Sequence, residues 1–153
     1  MDIFLDSSAL IKRYLPEQGT RWIRSMLAEG IGNHAIIAQI TPVEVISGVS
    51  RRKREGYISP NYAHTIRQLL ERHVRETYVG VGVTEQILWR AADLLETHAL
   101  RAYDAVQLAS ALDSNDRLVA AGLPALVFVS ADKHLLDAAA SEGLHVEDPN
   151  THT

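Results

Sequence analysis

The sequence predicts an α/β fold, a three-layer α/β/α sandwich built on a central, mainly parallel sheet. Two observations carry this reading. Short apolar runs bounded by turn residues recur along the chain, and longer stretches with helical periodicity separate them. Strands that alternate with helices in this way need crossover connections, which place helices on both faces of a parallel sheet. No repeat, low-complexity tract or linker divides the 153 residues, so residues 1–153 read as a single domain. That length is enough to bury most of its apolar surface.

The elements follow in order. Asp2-Ile3-Phe4-Leu5-Asp6 reads as a strand, after which Ser7-Ser8 caps a helix running to about Tyr14 and stopped near Leu15-Pro16. Gln18 to Glu29 suits a helix whose apolar stripe is Trp22, Ile23, Met26 and Leu27. Residues 35–40 form a buried strand. Thr41 then starts a helix that reaches about Glu55 and ends before Gly56. Ser59-Pro60 opens a long polar helix anchored by Ile66, Leu69 and Leu70. Residues 78–81 give a strand, Thr84 caps a helix from Glu85 to about Thr97, and another helix runs from Ala102 to about Asp113. Residues 125–129 are the clearest strand of the chain. A helix from Lys133 to Glu142, closed by Gly143, precedes an edge strand at 144–146.

Composition narrows the function. The net charge of −4 and a pI near 5.9 argue against a surface that binds polyanions everywhere. They are compatible with a metal-dependent nuclease, which concentrates carboxylates at its site. No stretch approaches the roughly 20 apolar residues of a membrane span. The start of the chain lacks the basic and long apolar regions of a signal peptide, and cysteine is absent, which excludes disulfides and thiolate metal ligands. The expected location is cytoplasmic.

In parallel α/β sheets, ligands bind beyond the carboxyl ends of the strands. Asp6, Glu44, Asp104 and Asp132 all fall at such positions: after the first strand, in the first turn of the helix after the second, at the start of the Ala102 helix, and after the 125–129 strand. Each has a structural explanation of its own. Thr41-Pro42-Val43-Glu44 reads as a capping box, Asp6 and Asp132 as helix caps, and Asp104 as a dipole partner. Together they say more. On a helical wheel Asp104 borders the apolar face of Ala102, Ala105, Val106, Leu108, Ala109 and Leu112, which turns it toward the sheet. Carboxylates gathered at one rim repel one another unless a hard cation joins them. Magnesium suits this place, because it takes oxygen ligands and retains several waters.

Residues 3–10, Ile-Phe-Leu-Asp-Ser-Ser-Ala-Leu, resemble the opening motif of PIN domains. Thr41-Pro42-Val43-Glu44-Val45 is similar to the second acidic motif of that family, residues 103–111 to its third and residues 128–135 to its fourth. The order is the family's, and the resemblance spans nearly the whole chain. The opening also looks like that of VapC-type toxins from bacterial toxin–antitoxin pairs. The resemblance implies an endoribonuclease dependent on Mg²⁺ or Mn²⁺, with Asp6 and Asp104 as principal metal ligands. Asp132 would join them directly or through water, and Glu44 would hold a second metal or orient the attacking water. It further implies an RNA substrate, products with a 5′-phosphate and a 3′-hydroxyl, a homodimer, and a small antitoxin as partner.

Other residues admit two readings. Arg51-Arg52-Lys53-Arg54 is either a solvated helix end or a phosphate contact, and Lys12, Arg13 and Arg101 are candidates for an electrostatic path into the acidic site. Ser7 and Ser130 serve as caps or orient carboxylates. No two histidines stand three or four residues apart, so a helical zinc pair is absent, and the histidines are expected at the surface. Three rival functions compete with this one. An aspartate-based phosphatase wants a second aspartate at position 8, where the chain has Ser8. A response-regulator-like module needs its acceptor aspartate at the end of a central strand, whereas Asp104 falls in a helix. A non-catalytic PIN-fold scaffold or RNA-binding module is the alternative that keeps the fold.

Overall fold

The structure is a computed structural model that describes residues 1–152. Five strands form one sheet: β1 (Asp2–Leu5), β2 (His34–Ala38), β3 (Val79–Val81), β4 (Val127–Val129) and β5 (His145–Glu147), in the order β3-β2-β1-β4-β5. All four pairings are parallel, with Phe4 opposite both Ile36 and Phe128. The chain steps outward from β1 through β2 to β3, then returns to the other side of β1 to add β4 and β5. This reversal puts the topological switch point between β1 and β4.

The reversal also divides the helices between the faces, as expected for crossovers of one hand. The helices α1 (Ser7–Leu10), α2 (Thr20–Met26), α3 (Thr41–Arg54) and α4 (Pro60–Glu76) pack on one face. They bury Leu10, Ile23, Val45, Val49, Ile66 and Leu70 with Ile3, Leu5, Ala35 and Ile37 of the sheet. The helices α5 (Glu85–Thr97), α6 (Ala102–Ala120) and α7 (Lys133–Ser141) cover the opposite face. There Phe4, Ile36, Ala38 and Phe128 meet Ile87, Leu94, Leu108, Leu112 and Leu135. Successive strand residues point to opposite faces, so β1, β2 and β4 each feed both cores. Phe4 and Phe128 stack across the β1–β4 pairing with centroids 5.9 Å apart.

Several local expectations change. The first helix lasts only to Leu10 and tightens into a 3-10 turn at Ile11–Arg13, and its cap is Asp6 rather than Ser7-Ser8. The Thr41 capping box does not form. Ile40 is the N-cap, Thr41 is buried in the first turn, and its hydroxyl pairs with Gln107 instead of a backbone amide. α6 runs on to Ala120 rather than stopping near Asp113. Its polar stretch is accommodated on the flank: Arg117 pairs with Asp113 at 2.8 Å, Asp116 accepts from Arg90 of α5 at 2.7 Å, and Asn115 accepts from the Leu126 amide. No described helix is long and apolar enough to cross a membrane.

Candidate active site

The carboxyl ends of β1 and β4 and the first turns of α3 and α6 open on one cavity of about 800 Å³. Asp6, Glu44, Asp104 and Asp132 all line it, with Ser7 and Ser8 between them. The four acids named from the sequence are therefore brought together at the switch point.

Asp6 leaves β1 just where the strand must hand over to α1, and its carboxylate does two jobs. Oδ1 accepts the Ala9 amide at 2.8 Å, capping α1. Oδ2 accepts the Ser130 hydroxyl at 2.7 Å, a bond that crosses the switch point from the end of β4. The Ser8 hydroxyl bridges both carboxylate oxygens at 2.8 and 2.9 Å, and receives the Ala131 amide at 2.9 Å. Asp6 is only 2% exposed. Burial pushes its carboxyl up to about 6; the hydrogen bonds from Ser130, Ala9 and Ser8 oppose that rise, and the charge of Asp104 adds to it.

Glu44 is held from two directions. Ser7 donates to its Oε2 and the Gln107 amide to its Oε1, each at 2.9 Å. Ser7 therefore orients a carboxylate, and Ser130 does the same for Asp6. Asp132 caps α7, its Oδ1 taking the amides of His134 and Leu135 at 2.9 and 3.3 Å. Its other oxygen accepts from no donor among the described residues. Asp104 is half-buried and receives no side-chain hydrogen bond from any described residue. Its carboxyl is raised to about 6, first by burial and then by the charge of Asp132, with Arg101 opposing and Glu44 adding a little. Gln107 and Ser8 are the site residues that sequence reasoning did not assign.

A hard divalent cation suits this donor set. A half-buried carboxylate without a donor, a second with one oxygen spare and a third already oriented by hydroxyls supply oxygen ligands only, which favours magnesium over softer metals. No three acidic or histidine side chains among the described residues close on a single point to enclose an ion. These residues fit a cation bound through one or two carboxylates with waters completing its shell.

The structure thus defines a parallel α/β domain with an acidic cavity at its switch point. The PIN domain family matches residues 3–140, and the chain belongs to that family. No curated protein sequence matches the chain. Among solved structures it is similar to a toxin–antitoxin complex from Klebsiella pneumoniae, with 19% identity, a TM-score of 0.63, and coverage of 96% of this chain and 97% of that one. It is likewise similar to FitAcB from Neisseria gonorrhoeae, with 17% identity, a TM-score of 0.65 and full coverage of both chains. VapBC2 from Rickettsia felis, bound to a DNA fragment from its promoter, matches at 13% identity and a TM-score of 0.62, over 97% of this chain and 98% of that one. At these identities the likeness is one of fold.

Proposed function

We propose that this chain is a Mg²⁺- or Mn²⁺-dependent endoribonuclease, the toxin of a VapBC-type toxin–antitoxin pair. The observation that carries the reading is the convergence of Asp6, Glu44, Asp104 and Asp132 on one cavity of a PIN domain. Asp6 and Asp104 would hold the metal, with Asp132 reaching it directly or through one of its waters and Glu44 beside them. When bound, such a cation lowers the pKa of its water and offsets charge on the phosphoryl oxygens. The chain's own residues do the positioning. Ser8 and Ser130 fix the Asp6 carboxylate, while Gln107 and Ser7 fix Glu44, which orients the attacking water. Water oxygen bonds to phosphorus, the bond to the 3′ oxygen breaks, and that oxygen takes a proton. The products are a 5′-phosphate and a 3′-hydroxyl.

The antitoxin and the homodimer belong to the same reading. They are supported by similar folds in toxin–antitoxin complexes, and by an apolar groove between α3 and α4 lined by Pro42, Val43, Ile46, Leu70 and Val74. The test is cleavage of structured RNA. It should require Mg²⁺ or Mn²⁺, stop with EDTA, and fall to background in Asp6→Asn and Asp104→Asn. Full activity in both variants would remove the acidic cavity from the reaction. Expression alone should arrest host growth, and co-expression with a small antitoxin should relieve it.

The competing reading is a PIN-fold scaffold without catalysis. Calorimetric titration with Mg²⁺ separates the two: heat of binding in the wild type that disappears in Asp6→Asn supports the hydrolase, and none in either supports the scaffold.

A further inference from the structure

An acidic cavity repels the phosphodiester it is to cut, so the cationic groups on its wall decide how substrate enters. Lys12, Arg51, Arg52 and Arg101 line the same cavity as the acids. Lys12 is unusual among them because it is only 5% exposed. A lysine is seldom buried unless its ammonium is well paired. Here Nζ donates to Glu17 Oε1 at 3.0 Å and to the Gln18 carbonyl at 2.9 Å. An ammonium carries three donors, and no third acceptor among the described residues lies within hydrogen-bonding distance.

Glu17 does not neutralise the pair, because its other oxygen accepts from Arg52 Nη2 at 3.2 Å. One carboxylate thus ties two cations together and leaves the group with a net positive charge. The assembly is also fixed in place. Gln18 is anchored through its own amide to the Asn150 carbonyl at 2.6 Å. Gly19 follows with φ of 84°, and a Cβ there would lie 2.5 Å from the Pro149 carbonyl oxygen. The carbonyl that holds Lys12 is therefore set by packing against the 3-10 turn at Pro149–Thr151.

We propose that Lys12 and Arg52, bridged by Glu17, form a phosphate-binding subsite for the backbone phosphate of a nucleotide flanking the cleaved bond. The assignment rests on the ribonuclease reading and adds to it the place where the strand is gripped away from the metal ligands. Lys12 offers the donor that no described residue takes up, and Arg52 supplies a second cation whose orientation Glu17 sets in advance.

The experiment is binding of a short, fluorescently labelled single-stranded RNA in EDTA, followed by anisotropy over a range of salt concentrations. Lys12→Met keeps the aliphatic packing, and Arg52→Gln, at a partly exposed position, keeps the fold if the first variant does not. Each should weaken binding about tenfold and reduce the slope of log affinity against log salt by about 0.7–1, the signature of one lost phosphate contact. In cleavage assays each should raise KM and leave kcat nearly unchanged, a split that a merely structural defect would not produce. If a folded Arg52→Gln protein binds with wild-type affinity and salt slope while the wild type cleaves RNA, the subsite is wrong and the ribonuclease reading stands. If the wild type neither binds nor cleaves RNA, both fall together.

Discussion

Gln107 lies three residues beyond Asp104 in α6, almost wholly buried, and divides its amide hydrogens between Glu44 and the Thr41 hydroxyl, both at 2.9 Å. It is the bond between α6 and α3 at the level of the site. Gln107→Leu would leave Thr41 buried beside a hydrocarbon and free Glu44 to swing on Ser7 alone. Losing buried partners of this kind costs about 1–3 kcal/mol. The variant should melt several degrees lower and cleave RNA at least tenfold more slowly, as read by thermal melts and kcat. Undiminished cleavage would show that the orientation of Glu44 is immaterial. The acids themselves were legible because an aspartate directly after an apolar strand, or in the first turn of a helix, occupies a place set by local sequence. Gln107 and Ser8 were not legible. Glu44 lies 63 residues from Gln107, and the Ala131 amide that aims the Ser8 hydroxyl lies 123 residues from it. Although Asp6 is only two residues from Ser8, those longer pairings exist only once the sheet order is known. The capping box failed for the same reason: Thr41 is buried against α6, and a tertiary partner outcompeted the local one.

At the scale of elements, α4, the 3-10 turn and the segment before β3 are joined by a directed chain of hydrogen bonds. Arg13 can only donate, and it donates to the Tyr78 hydroxyl at 2.8 Å. The Tyr78 and Tyr14 hydroxyls lie 2.6 Å apart, and the Tyr14 hydroxyl lies 2.8 Å from His73 Nδ1. With Nδ1 of a neutral His73 as acceptor, Tyr14 donates to His73 and Tyr78 to Tyr14. A neutral His73 satisfies every link. A protonated one would have to donate to Tyr14, which leaves one of the two tyrosine hydroxyl hydrogens without an acceptor. Burial, aided by the charges of Arg13 and Arg72, lowers His73 to about 4. A histidine depressed in the folded state favours folding fully above its unfolded value near 6.5, and that contribution is lost as pH falls toward 4. His73→Gln keeps a neutral acceptor. Its melting temperature relative to the wild type should therefore rise as pH drops from 6.5 to 4, by an amount worth about 1 kcal/mol after allowance for partial exposure. Parallel pH curves for the two proteins would show that the chain of hydrogen bonds does not depend on a neutral histidine. His73 also corrects the expectation of surface histidines, because it is drawn in by Tyr14 and Tyr78, which lie on other elements. Element type and order were otherwise readable from periodicity, since the apolar stripes of α2, α4 and α5 are local patterns. The end of α6 was not: Asp113-Ser114-Asn115-Asp116 looks like a helix breaker until Arg90, Arg117 and the Leu126 amide supply its partners.

For the whole molecule, the site sets stability against function. Asp6 and Asp104 are both raised to about 6, so in the metal-free protein each opposes folding at neutral pH. The sign is fixed by linkage: a carboxyl that is harder to ionise when folded imposes its full penalty above the folded value, and the penalty fades as pH falls through 6 toward 3.8. Asp6→Asn removes one of these charges and retains an oxygen acceptor for the Ala9 amide. It should raise the metal-free melting temperature at pH 7 by about 2–4 °C, corresponding to about 1 kcal/mol in a domain of this size. The gain should shrink as pH is lowered to 4, where the wild-type carboxyl is protonated. Magnesium reverses the order. A cation that binds only the folded cluster stabilises it by mass action, so saturating Mg²⁺ should shift the wild type upward by several degrees and leave Asp6→Asn nearly where it was. If Asp6 were only the cap of α1, asparagine would cap almost as well, the pH dependence would not change, and Mg²⁺ would move both proteins alike. Thermal melts of the two proteins at pH 4 and 7, in EDTA and in Mg²⁺, decide between a cap and a metal ligand. Equal Mg²⁺ shifts would end the metal-site assignment even if the fold and family stand.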